Sequence, residues 1–292
     1  MPPFSVGLIE SHMQAPYSMT DNFSLNTYSY TLSVGALECI RHLAGLGARQ
    51  FELMLYPGHL WVDSAPSDVA DIRRFMQSEG LSFTSTNTVN VDLNIAGASA
   101  EMRRHSLSLV ERFIRLTGEL GAPAFILGPG KPNPLLAAPF EQMRDYFLHA
   151  LDRLVPVARQ SNVELWVENM PFSFLPDLDG ILNVLDAYGE PAIGICYDVA
   201  NAHFIGEDPA QGIRRLGNRM KLMHISDTTR QTYLHAAIGA GDIDFAAVGR
   251  AVGEMGLERN PVLEIISPSP DRDLFSAPAQ LAARGYQGHR IS

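Results

Sequence analysis

Cysteine is nearly absent: Cys39 and Cys196 are the only two in 292 residues, and neither sits in a CxxC pair or a dense array. That argues against a disulfide framework and a thiolate zinc site, and it suits a reducing compartment. Basic residues are also few, with 22 Lys and Arg against 32 Asp and Glu and a formal net charge of −10. A nucleic-acid surface needs clustered cations to displace counterions, so the balance points away from nucleic acid and toward a small polar metabolite. No apolar run approaches the ~20 residues that span a bilayer, and residues 1–6 lack the basic segment of a signal peptide. The expectation is a soluble, cytoplasmic protein with no membrane partner. No Ser/Gly linker or charge block divides the chain, so one domain over residues 1–292 is expected. No GxGxxG follows an early strand, which weighs against a doubly wound dinucleotide-binding sheet.

Short apolar runs and amphipathic segments do alternate along the chain. Strands are predicted at residues 5–10, 51–55, 81–88, 124–127, 163–168, 192–198, 220–225 and 262–266. The first helix follows Ser33 as its cap, with Leu37, Ile40, Leu43 and Leu46 at helical spacing. Further helices are predicted at 66–80, 101–120, 140–157, 178–188, 209–216, 245–255 and 274–284, and Glu111 and Arg115 are spaced to pair on the third. Eight strands alternating with eight helices close most simply as an α/β fold of the (β/α)8 TIM-barrel type.

In such a barrel the chemistry lies at the C-terminal ends of the strands. Glu168, Asp198, His224 and Glu264 occupy that place on four consecutive predicted strands. Three carboxylates gathered at one mouth repel one another, and a divalent cation is the usual remedy. Oxygen-rich ligation with one nitrogen suits one Mn²⁺, the preferred ion, and also Mg²⁺, Co²⁺ or Zn²⁺.

Val-Glu-Asn-Met-Pro (167–171), Tyr-Asp-Val-Ala-Asn-Ala-His (197–203), Met-His-Ile-Ser-Asp (223–227), His235 with Ile-Gly-Ala-Gly-Asp-Ile-Asp (238–244), and Leu-Glu-Ile (263–265) form a recognisable series. It resembles the sugar phosphate isomerase/epimerase superfamily of xylose isomerase-like TIM barrels, also named the AP endonuclease 2 family. The resemblance implies that Glu168, Asp198, His224 and Glu264 hold the metal, and that Glu168 and Glu264 also move a proton through a metal-bound enediolate. The implied substrate is a ketose, keto-polyol or related carbohydrate. A lyase of the same architecture is the alternative, either an inosose or dehydroshikimate dehydratase or a C-glycoside-cleaving enzyme. A non-catalytic sugar- or metal-binding protein comes third. Homo-oligomers are common among such proteins.

One departure is that the position three residues after the aspartate, often His in this superfamily, is Asn201, while His203 is kept. Asn hydrogen-bonds a hydroxyl but shuttles no proton at neutral pH. The resemblance implies that His203 and His235 bind substrate, and Asn201 is expected to hydrogen-bond a substrate hydroxyl in the place of the first histidine. Lys131 is a candidate for a phosphate or carboxylate, Glu10, His12 and His59 for the pocket lining, and Trp61 and Phe172 for an apolar wall. Cys196 reads as a small buried hydrophobe.

Overall fold

Short strands buried on both faces and joined by helices pair in parallel, because each βα unit brings the chain back to the same end of the sheet. A computed structural model, which describes residues 22–90 and 92–288, contains eight such strands closed into a barrel in sequence order. They are β1 (Ser24–Asn26), β2 (Gln50–Leu55), β3 (Ser82–Thr88), β4 (Ala124–Leu127), β5 (Glu164–Glu168), β6 (Gly194–Asp198), β7 (Met220–Ile225) and β8 (Val262–Leu263). Closure falls on β1, whose Leu25 pairs with Phe51 on one side and Leu263 on the other.

Outside the barrel run α1 (Ala36–Gly45), α2 (Pro66–Ser78), α3 (Ala100–Leu120), α4 (Phe140–Ser161), α5 (Leu178–Tyr188), α6 (Val199–Phe204), α7 (Pro209–Leu216), α8 (Phe245–Met255) and α9 (Pro270–Ala283). Among the described residues no helix is long and apolar enough to cross a membrane.

The period of two along each strand sorts the residues into two cores. Leu165, Val167, Ile195, Tyr197, Met223, Ile225 and Leu263 belong to the large outer core that packs strands against helices. Trp166, Cys196, Leu222 and Val262 join Ala124 and Ile126 in a small separate cluster inside the barrel. The residue two further on from each of those four is Glu168, Asp198, His224 or Glu264. The same alternation that plugs the barrel therefore stacks four ligand-capable side chains directly above the plug. Gly194 makes that packing possible: a Cβ there would stand 2.7 Å from Trp166 Cδ1.

Four local expectations change. The first barrel strand is Ser24–Asn26, and residues 5–10 lie outside the described residues. Ser33 does not cap α1, because its hydroxyl is drawn back to the Tyr30 carbonyl at 3.1 Å while Gly35 takes the cap position. Strand β8 stops at Leu263 rather than at residue 266, since the Ile266 amide leaves the sheet for the His235 carbonyl at 2.7 Å. Glu111 pairs across to Arg153 of α4 instead of along its own helix to Arg115.

Candidate metal centre and active site

Asp198 ends β6 and begins α6. Its Oδ1 accepts from the Asn201 amide at 2.7 Å, capping the helix. Its backbone is held by Asn169, which accepts from the Asp198 amide at 2.7 Å and donates to its carbonyl at 3.0 Å. The second oxygen, Oδ2, is buried with no hydrogen-bond partner among the described residues. An ionised oxygen left so in the interior is expensive unless something positive meets it.

What surrounds it is His224, wholly buried on β7. His224 Nδ1 lies 3.1 Å from Glu168 Oε1, 3.1 Å from Glu264 Oε2 and 3.9 Å from Asp198 Oδ2. One donor atom from each of the four residues falls within 4.8 Å of all the others. Three carboxylate oxygens and one imidazole nitrogen converging on a point, one of them orphaned, fit a divalent cation.

The electrostatics carry the same message. Burial pushes the Asp198 carboxyl up to about 7, with Glu264 and Glu168 adding to the rise against the imidazoles of His235 and His224. Burial likewise raises Glu168. Glu264 goes the other way: the two imidazoles overcome its burial and hold it down, to about 2. Burial alone would lower His224, yet Cys196, Glu52 and Glu264 carry it well above its ordinary value. A bound cation relieves this set by replacing the protons the carboxylates would otherwise share.

Beyond the four ligands the structure supplies a residue that the sequence reading passed over. Glu52 of β2 is fully buried, with Oε2 3.1 Å from His224 Nε2. It accepts from Asn26 at 2.6 Å and Ser85 at 2.6 Å, so β1 and β3 fix the carboxylate that fixes the imidazole. Asn26 also donates to Glu264 Oε1 at 3.3 Å. The signal was present as a glutamate inside the apolar run Phe51–Leu55, because a charge in a strand buried on both faces must have a partner. Cys196 lies in the plug, as its reading as a small buried hydrophobe expects, and its sulfur falls with Glu168 and His224 in a second grouping whose ligand-capable atoms lie within 4.8 Å of one another.

Above the centre opens a cavity of about 380 Å³. Glu168 and Glu264 line it, whereas Asp198 and His224 lie beneath. A model of the xylose isomerase-like TIM barrel family matches residues 40–287. The chain belongs to that family. Among solved structures, this xylose isomerase-like barrel is similar to a D-tagatose 3-epimerase-like protein (17% identity, TM-score 0.77, covering 90% of this chain and 98% of that one). It is similar also to the IOLI protein with a bound zinc atom (15%, TM-score 0.75, 92% and 100%). By sequence it is 27% identical over 164 residues to a probable endonuclease 4 of Mycobacterium ulcerans, covering 52% of this chain and 62% of that one. The chain spans about three fifths of the length of the curated relatives it matches, 59% and 62% for the first two.

The other expected site residues of this barrel divide. Asn201 and His235 line the cavity. His235 Nδ1 stands 3.3 Å from Glu264 Oε2 and 3.6 Å from Asp198 Oδ2. His203 does not line it, for its Nε2 faces Asp242 Oδ1 at 2.6 Å. Tyr233, unremarked in the sequence, joins the first two: its hydroxyl donates to Asn201 Oδ1 at 2.9 Å and lies 2.9 Å from His235 Nε2. Lys131 lines the cavity and its ammonium donates to the Asn90 carbonyl. Phe172 lines it too, while Trp61 packs edge-on to Phe113 at 4.9 Å. His59 is held by the Val34 carbonyl at 2.7 Å and Thr27 at 3.2 Å, apart from the cavity. Glu10 and His12 lie outside the described residues.

Proposed function

We propose that this chain is a single-domain, cytoplasmic, divalent-metal-dependent isomerase or epimerase acting on a ketose, keto-polyol or related hydroxy-carbonyl carbohydrate. The observation that carries the reading is the placement of two glutamates. Glu168 ends β5 and Glu264 directly follows β8, each reaches His224 Nδ1 at 3.1 Å, and of the four candidate ligand residues only these two line the cavity. A binding protein has no need of two carboxylates turned to the cavity from a floor whose other ligand-capable side chains are covered. Similarity to sugar epimerases of the same fold supports this reading.

A bound metal, Mn²⁺ by preference, supplies Lewis acidity that makes the hydrogen on the carbon beside a carbonyl removable. Glu168, Asp198, His224 and Glu264 hold it. One glutamate accepts that hydrogen as a proton, and the electron pair of the broken C–H bond passes to the carbonyl oxygen. Return of a proton to the same carbon from the opposite glutamate inverts it, whereas return to the neighbouring carbon isomerises. Glu52, through His224, keeps the floor fixed while this happens.

Loss of a β-substituent from the same carbanion is the second reading. It is favoured by the Tyr233 hydroxyl, a protonated donor on the cavity wall whose pKa burial raises far above the ordinary value. The deciding experiment incubates the Mn²⁺-loaded protein with a panel of ketoses and keto-inositols in deuterated water. Deuterium uptake at unchanged carbon skeleton, abolished in Glu264→Gln, is the expected result. Loss of water marks the lyase, and exchange that persists in Glu264→Gln would overturn the assignment of the base. Cleavage of duplex DNA at abasic sites, tested alongside because of the endonuclease 4 similarity, is expected to be absent.

A further inference from the structure

The wall of the cavity facing solvent differs in chemistry from its floor. Leu93, Met170, Phe172 and Ile266 line the same space as Glu168 and Glu264. Phe172 is 60% exposed and Ile266 39%, large apolar surface left open beside a polar centre. These side chains are also held in place. The Phe172 ring stands edge-on to Tyr233 at 5.2 Å and to Phe204 at 5.9 Å. Gly128 leaves room for Met170, whose sulfur would be 3.1 Å from a Cβ there. A polarizable thioether and an exposed aromatic ring on one wall together suit a planar, apolar guest.

A simple sugar bears a hydroxyl on nearly every carbon. Hydroxyls set against Leu93, Met170, Phe172 and Ile266 lose water and gain no partner. A polar head is served by the Asn201, Tyr233 and His235 side of the lining, and the apolar side is left to a different group. A space of about 380 Å³ falls within the roughly 300–1,000 Å³ typical of pockets for drug-sized ligands.

Building on the hydroxy-carbonyl reading of the floor, we propose that the substrate is bipartite, with a hydroxy-carbonyl head at Glu168 and Glu264 and an aromatic substituent seated on Met170, Phe172 and Ile266. The substituent is the specificity determinant: it places the head and excludes water from the mouth, and plain monosaccharides bind weakly.

The test uses two ketones with one head, hydroxyacetone and 2-hydroxyacetophenone, titrated calorimetrically into Mn²⁺-loaded protein and into chelator-treated protein. The phenyl ketone is expected to bind at least tenfold more tightly to the loaded form. That advantage is expected to fall below threefold in Phe172→Ala and in Ile266→Ser, with Mn²⁺ affinity unchanged. Equal, metal-dependent binding of the two ketones would overturn the aromatic subsite and leave the hydroxy-carbonyl reading standing. Binding of neither ketone, loaded or stripped, would remove both. A Phe172→Ala variant that keeps the full phenyl advantage but sediments differently from the wild type would reassign Phe172 to a protein contact and end the proposal.

Discussion

Glu52 Oε2 and His224 Nε2 lie 3.1 Å apart, and neither side chain has any exposure. A carboxylate behind the imidazole fixes which ring nitrogen carries hydrogen and turns the other toward the metal. Glu52→Gln is therefore expected to weaken Mn²⁺ or Zn²⁺ affinity by about 10–100-fold while the cavity keeps its shape. Calorimetric titration of the stripped variant is the check, and unchanged affinity would separate Glu52 from the centre.

Asp198 leads to a prediction with two signs. Without metal its Oδ2 is a buried oxygen without a hydrogen-bond partner among the described residues, so Asp198→Asn, which retains a capping oxygen for the Asn201 amide, is expected to melt at or above the wild type. With metal at about 100 times the Kd the wild type gains about 2.7 kcal/mol. The variant is expected to lose most of that gain. Thermal melts of both proteins with and without Mn²⁺ read the crossover.

Tyr233→Phe removes the hydroxyl that joins Asn201 to His235 and keeps the ring against Phe172. A loss of about 1 kcal/mol of stability is expected from the missing hydrogen bonds. In the isomerase reading the KM for the true substrate rises while proton exchange survives; in the lyase reading product formation falls with exchange retained. Parallel exchange and product assays distinguish these outcomes.

Far from the centre, α1 and α9 are joined by His42 and Asp271 at 2.9 Å, with Tyr30 donating to the other Asp271 oxygen at 2.6 Å. The hydrogen bond to Asp271 raises His42 against the effect of burial. Burial would raise Asp271, but its bonds to His42 and Tyr30 bring it below the ordinary value. The His42 contribution is complete below its unfolded pKa of about 6.5 and disappears as pH rises through the raised folded value. The Asp271 contribution is complete above its unfolded pKa of about 3.9 and disappears as pH falls through the depressed value. The gap in melting temperature between wild type and His42→Ala is accordingly expected to be widest near pH 5 to 6 and to narrow toward pH 9. A gap independent of pH would refute the ion pair.

Much of the barrel was legible because its strands and helices differ so clearly in period. Leu178–Tyr188, Pro209–Leu216 and Phe245–Met255 begin and end where their apolar spacing does. The four side chains that meet at the candidate centre were legible because each lies at or near the end of an apolar run. What escaped has a common physical cause. Ser24–Asn26 is a three-residue polar strand whose inward Asn26 serves Glu52 and Glu264, so it lacks the apolar signature of a strand. Helix α6 is six residues long, too short for a periodic pattern, and is set by the Asp198 cap. Tyr233 reaches the site from a loop held by the Asp227–Ala236 bridge, and pairing of that kind leaves no mark in local sequence. His203 matches a histidine position of the superfamily and so is expected to meet substrate, but the helical turn carries its ring to Asp242.

The stacking of Glu168, Asp198, His224 and Glu264 over the Trp166 plug separates the polar floor of the cavity from its apolar rim. The candidate ligands sit at the ends of strands whose inward residues touch one another, whereas Met170, Phe172 and Ile266 stand beyond the strand ends. Floor and rim thus belong to different layers of one fold, the first tied to the barrel's interior packing and the second to its loops. A substitution in the rim loops leaves the packing beneath the floor untouched, whereas a change in the plug reaches the four polar side chains directly.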